Sequence, residues 1–152
     1  MANTQSMCTS FLAELMQGLQ NFTTSTGNSF KAALYLASAT MNASTTQFTT
    51  TNEVSGTGYT SGGVAVTNGT SPLSSNASTT AGVAYWTPSA SLTYTSVTLT
   101  TAFDAVLIYN NTNSNRAVSV HTFGSQTITA GTFTLTMPSN STTTGLLRLS
   151  TT

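Results

Sequence analysis

Residues Phe103–Phe123 read FDAVLIYNNTNSNRAVSVHTF. Phe103 to Tyr109 is apolar except for Asp104 and is rich in the β-branched and aromatic types that suit a pleated strand. Asn110 to Arg116 holds four Asn in seven residues. Asn tolerates left-handed backbone, so this segment reads as a hairpin loop. Ala117 to Phe123 then returns as a second strand. The stretch reads as two antiparallel strands joined by a hairpin loop.

Working outward, the same period of two recurs. Toward the C-terminus, strands are predicted over Thr127–Thr129, Thr132–Met137 and Gly145–Leu149. Toward the N-terminus they fall at Val97–Thr101, Ser91–Tyr94, Val83–Trp86, Val64–Thr67 and Phe30–Ala37, with Pro88 breaking the run around it. Two polar connections, Ser38–Gly63 and Asn68–Thr80, separate the early strands. Short strands at this spacing, with no dense helix–strand alternation, predict a mainly β, jelly-roll-like or Greek-key β-sandwich over 30–149.

One segment breaks the period. Cys8, Phe11, Leu12, Leu15, Met16 and Leu19 recur at steps of three and one, which is one stripe of an amphipathic helix. A single N-terminal α-helix is therefore expected between Met7 and Phe22, weakened by Gly18. Segment 1–22 is expected either to pack on its own sheet or to lend itself to a neighbour, since a terminal arm needs no loop closure. With 152 residues, the whole chain reads as a single domain.

Composition narrows the function. Charged residues make up 4% of the chain, three basic and three acidic, where an ordinary domain has about 25%. Three cations cannot neutralise a phosphate backbone, so no nucleic acid is expected. Three dispersed carboxylates and one Cys give no calcium cage, zinc site or internal disulfide, so neither a metal nor a cofactor is expected. No apolar run approaches the ~20 residues of a membrane span. The opening MANTQSMCTSFLAELMQG lacks a basic leader and carries Glu14 in its most apolar part, so it does not read as a secretory signal. Low charge here does not mean disorder, because mean hydropathy is +0.06 and the chain holds 35 Thr and 21 Ser. A hydroxyl-coated surface with little charge offers little repulsion between copies, which favours assembly.

The search for chemistry yields little. A nucleophilic triad needs a base beside the nucleophile and a group that orients the base. His121 is the one His and Asp104 the one Asp, on strands the hairpin makes neighbours; whether they share a face depends on register. There is no Gly-x-Ser-x-Gly elbow, and Gly56-Thr57-Gly58 lacks the third Gly of a nucleotide loop. Glu14, Glu53 and Asp104 do not read as a glycosidase pair. No catalytic residue is assigned. Six Asn-x-Ser/Thr sequons, at Asn21, Asn42, Asn68, Asn76, Asn110 and Asn140, are near what a chain so rich in Ser and Thr holds by chance. The pentapeptide Asn42–Thr46 recurs as Asn76–Thr80, too little for a repeat architecture. Trp86, beside Tyr85 and Pro88, is either a core residue or a platform for a sugar or base; the core is the expected place.

Five stretches carry a resemblance. They are KAALY at Lys31–Tyr35, EVSGTGYTSGG at Glu53–Gly63, AVLIYN at Ala105–Asn110, FGS at Phe123–Ser125 and TFTLTMP at Thr132–Pro138. With their flanks they cover most of the chain, and they resemble a family of small structural proteins of tailed bacteriophages. The resemblance implies a non-enzymatic virion component present in many copies, of the kind that decorates or cements a capsid between capsomers. Its partners would be the phage major capsid protein and copies of itself, as a dimer or trimer, on the outer capsid surface. The alternative place is the tail or tail tip, with a possible host-glycan contact. Candidate contacts are Phe11, Leu12, Leu15 and Leu19 on the helix, Glu53 and Tyr59 in the long loop, and Asn111 and Arg116 at the hairpin.

Overall fold

The computed structural model describes residues 2–75 and 82–151. It contains strand β1 (Ser6–Met7), helix α1 (Thr9–Met16), and strands β2 (Phe30–Leu36), β3 (Val64–Val66), β4 (Leu73–Ser75), β5 (Val83–Trp86), β6 (Leu92–Asn110), β7 (Arg116–Leu135) and β8 (Leu147–Ser150). These form two antiparallel sheets, one ordered β1-β7-β6-β2-β3 and one ordered β4-β5-β8. The molecule is a β-sandwich with one short N-terminal helix, as the strand pattern led one to expect.

The hairpin at the centre is longer than its sequence suggests. The predicted strands from Ser91 to Tyr109 fuse into β6, and those from Ala117 to Met137 fuse into β7. Polar residues between them do not end the strands. They make bulges, with register shifts between Tyr94 and Val97, Val97 and Leu99, and Leu99 and Phe103. Ser96 and Ala130 sit at φ 53° and 48°, which bends the ribbon without breaking it. At the tip, Asn110 pairs with Arg116, and Ser114 and Asn115 take the left-handed conformation that the loop requires.

The helix is shorter than expected, and Gly18 is the reason. Gly18 adopts φ 69°; its N–H donates to the Leu15 carbonyl at 3.2 Å, and the Leu19 N–H donates to the Glu14 carbonyl at 2.9 Å. That pair of bonds is a Schellman stop. The stripe beyond it, Leu19 to Phe22, continues as loop. At the other end Ser6 and Met7 join β7 opposite Val120 and Ser119. Inside the polar connection 68–80, β4 appears at Leu73–Ser75. Asn76, its sequon and the repeated pentapeptide 76–80 lie outside the described residues.

Both faces of the large sheet are covered. Along β2, Phe30, Ala32 and Leu34 face one way and Ala33 and Tyr35 the other, and all are buried. On the first face Phe22 stacks on Phe30 at 4.3 Å and meets Trp86 of the small sheet at 4.7 Å, while Phe11 of α1 packs edge-on against Phe22. On the second face the long loop closes over the sheet. Phe48 stacks on Tyr109 at 4.7 Å, and the Tyr35 hydroxyl donates to the Thr49 carbonyl.

Candidate functional site: an apolar face between the helix and the small sheet

Phe11 and Leu15 stand one turn apart on α1, so both turn toward the body of the protein. Opposite them lie Trp86 of β5 and Leu147 and Leu149 of β8, with Pro72 at one side and Phe22 below. Between helix and sheet is a groove of about 90 Å³. The indole N–H of Trp86 is taken up behind it, donating to Asn68 Oδ1 at 3.0 Å and to the Thr70 carbonyl at 3.1 Å. Trp86 is 2% exposed and belongs to the core.

The helix and the small sheet carry further apolar side chains that are exposed. Leu12 (39% exposed) and Met16 (85%) follow Phe11 and Leu15 along α1. Leu73 (45%) pairs in register with Tyr85, and Leu149 (38%) lines the groove itself. Those four are the exposed large hydrophobic residues among the described residues, and all lie on the helix or the small sheet. Leu73 shares the Tyr85 side of the small sheet and Leu149 the side of Ala84 and Trp86, so the exposed apolar side chains are spread over the helix and both sides of that sheet.

The ion pair nearby points inward. Arg116 donates to Glu14 at 2.9 Å, and Gln20 donates to the other Glu14 oxygen at 2.6 Å. Asn110 donates to Gln20 and to Asn28, each at 2.9 Å, and Asn113 donates to the Leu19 carbonyl at 2.9 Å. This chain of bonds ties the end of α1 to the hairpin tip. It also keeps the one acidic side chain of the helix off the apolar face.

The predicted contact residues therefore divide into three groups. Phe11 and Leu15 line the groove, while Leu12 is exposed on α1 and is not part of its lining. Leu19 and Arg116 meet in the polar network, and Asn111 lies exposed at the tip with its N–H on the Ser29 carbonyl. Glu53 and Tyr59 turn inward. The Glu53 carboxylate accepts from the Tyr59 hydroxyl at 2.8 Å, Ser61 Oγ at 2.6 Å and the Gly62 N–H at 2.6 Å. Burial beside that carboxylate raises the Tyr59 phenol well above its usual range, and burial pushes Tyr109 up to about 12. The EVSGTGYTSGG stretch is thus a carboxylate-centred loop clamped on β2. Gly63, at φ 72°, passes so close to the Ala32 carbonyl that a Cβ would collide with it. Met16, Leu73 and Leu149 are exposed apolar residues that are not among the predicted contacts. Met16 was visible in the helical stripe, but nothing in the sequence linked β4 and β8 to that helix.

His121 and Asp104 do not form a dyad. Asp104 accepts from Asn3 Nδ2 at 2.6 Å, and His121 Nε2 shares a hydrogen with Ser119 Oγ at 2.9 Å. Ser119 is fully buried, and burial lowers the His121 pKa from 6.5 to about 4. The imidazole has a hydroxyl partner but no orienting carboxylate. Burial raises the Cys8 thiol to about 12, which keeps it protonated and unreactive. Among the described residues no three His, Cys, Asp or Glu side chains gather to hold a metal ion, and no helix is long and apolar enough to cross a membrane. No protein-family model, curated protein or solved structure matches the chain.

Proposed function

We propose that the protein is a structural component of a tailed-bacteriophage virion, a decoration or cement protein that docks on the capsid through the apolar face of α1 and the small sheet. The observation that carries this reading is that the exposed large hydrophobic residues among the described residues, Leu12, Met16, Leu73 and Leu149, all lie on α1 or the small sheet, on a chain with a formal net charge of zero. A neutral, hydroxyl-rich surface gives no long-range repulsion between copies, and exposed apolar side chains on the helix and the small sheet supply contacts that interfaces use. The resemblance of the KAALY, EVSGTGYTSGG and TFTLTMP stretches to small phage structural proteins supplies the setting. Cementing follows from linkage. A protein that binds the assembled shell and not its loose subunits stabilises the shell by RT ln(1 + [L]/Kd), about 2.7 kcal/mol per site at a hundredfold excess over Kd.

The tail-tip alternative would set a sugar against Trp86 or Tyr59; it is favoured less because the Trp86 ring is buried and the Tyr59 hydroxyl is committed to Glu53. Adding the purified protein to phage heads stripped of it tests the reading. Saturable binding and a raised temperature of DNA release are expected. Binding confined to tails, or turnover of a cell-wall substrate, would overturn it.

A further inference from the structure

Asn68–Gly69 is the one Asn-Gly dipeptide in the chain, and the fold needs both residues for separate reasons. Asn68 bridges the two halves of the aromatic core. Its Nδ2 donates to the Phe22 carbonyl at 2.8 Å, and its Oδ1 accepts from Trp86 Nε1 at 3.0 Å. Gly69 passes against Ser89 so tightly that a Cβ would collide with Ser89 Oγ. A side chain that spans Phe22 and Trp86, followed by a residue with no side chain, is met by Asn-Gly. That dipeptide is also the one most prone to cyclise, because glycine leaves its backbone nitrogen unhindered.

We propose that Asn68 is a deamidation site that the native fold holds closed, independently of where the protein docks. In the reaction the Gly69 nitrogen gives up its proton and attacks the Asn68 side-chain carbonyl carbon. The C–N bond to Nδ2 breaks and ammonia leaves, carrying the proton. Water then opens the five-membered succinimide at either carbonyl, giving Asp or isoaspartate. Each participant is tied down in the folded chain. The Gly69 N–H donates to Ser89 Oγ at 3.0 Å, and that hydroxyl donates onward to the Thr67 carbonyl at 3.1 Å. Both ends of the Asn68 amide are engaged, so its carbonyl carbon cannot swing toward the Gly69 nitrogen without breaking the Phe22 and Trp86 bonds. Local opening is therefore the gate. Once formed, the acid sets a carboxylate oxygen against the Phe22 carbonyl where an N–H had donated, and two acceptors then face each other. The product loosens the packing of Phe22 on Trp86, whose ring centres lie 4.7 Å apart, so the modification is a slow, one-way weakening of the sandwich.

Peptide mapping of the full-length protein after incubation in mildly alkaline buffer, with and without urea, reads the amide-to-acid conversion and the isoaspartate at residue 68. The folded protein is expected to convert at least about tenfold more slowly than the unfolded chain, the factor that an opening free energy of about 1.4 kcal/mol gives. Ser89→Ala, at an exposed position, is expected to speed conversion in the folded state, and Asn68→Asp to lower Tm. Equal rates for folded and unfolded wild type would overturn the proposal. So would a Ser89→Ala protein that stays folded and converts no faster than wild type.

Discussion

The Glu53 carboxylate is buried, accepts three hydrogen bonds and forms no ion pair among the described residues. In Glu53→Gln the amide oxygen keeps Tyr59 and Gly62 while the NH₂ meets Ser61 Oγ, which must turn from donor to acceptor, so the loss of charge-assisted bonds is expected to cost about 1 kcal/mol in urea unfolding. A cost within error would mean that the loop is held by its backbone contacts alone. His121 makes a second expectation at this scale. Folding lowers its pKa from 6.5 to about 4, so between those values the unfolded chain binds a proton that the folded chain does not. The stability contributed by the neutral ring is complete above pH 6.5 and is lost as pH falls toward 4. Wild type should lose roughly 2 kcal/mol more than His121→Asn on that descent, the full shift being discounted for a ring that is half-buried. Parallel curves for the two proteins would show that the imidazole is not desolvated.

Elements are where sequence and structure part most clearly. The hairpin tip, the β2 strand and the burial of Trp86 were legible, because alternation, Asn-rich turn chemistry and aromatic size act locally. The length of β6 and β7 was not. A bulge and a loop are both polar interruptions in one dimension, and only cross-strand pairing tells them apart. In sequence Gly18 is only a weak point in a longer helical stripe, yet its positive φ makes it the stop. Gly18→Ala is accordingly expected to destabilise by about 1 kcal/mol in urea unfolding, since a Cβ is strained in the left-handed region. The reverse argument applies to Ala130 at φ 48°. Ala130→Gly should be neutral or stabilising, within about 1 kcal/mol, because strain relief opposes added unfolded-state entropy. A clear loss at Ala130→Gly would show that its methyl group makes a needed contact. Of the candidate site, the helix side was legible from its stripe. The sheet side was not, because β4 and β8 are short and 72 residues separate Ser75 from Leu147 in sequence.

At the scale of the whole molecule, the exposed large apolar side chains among the described residues sit on α1 and the small sheet, and the chain carries little charge. Leu12 and Met16 are exposed, so charging them should leave folding intact while removing the proposed docking surface. A substitution on an exposed helical position away from special features changes stability by no more than about 0.5 kcal/mol. An interface centre that must accept a charge loses far more. The double variant Leu12→Glu/Met16→Glu separates these two effects. Binding of wild type and of this variant to phage heads stripped of the protein, followed by co-sedimentation, is the most direct measurement. Wild type should pellet with the heads at a fixed ratio, while the folded variant stays in the supernatant with its Tm unchanged. Equal pelleting of the two proteins, or no pelleting of wild type at any concentration, would contradict the account.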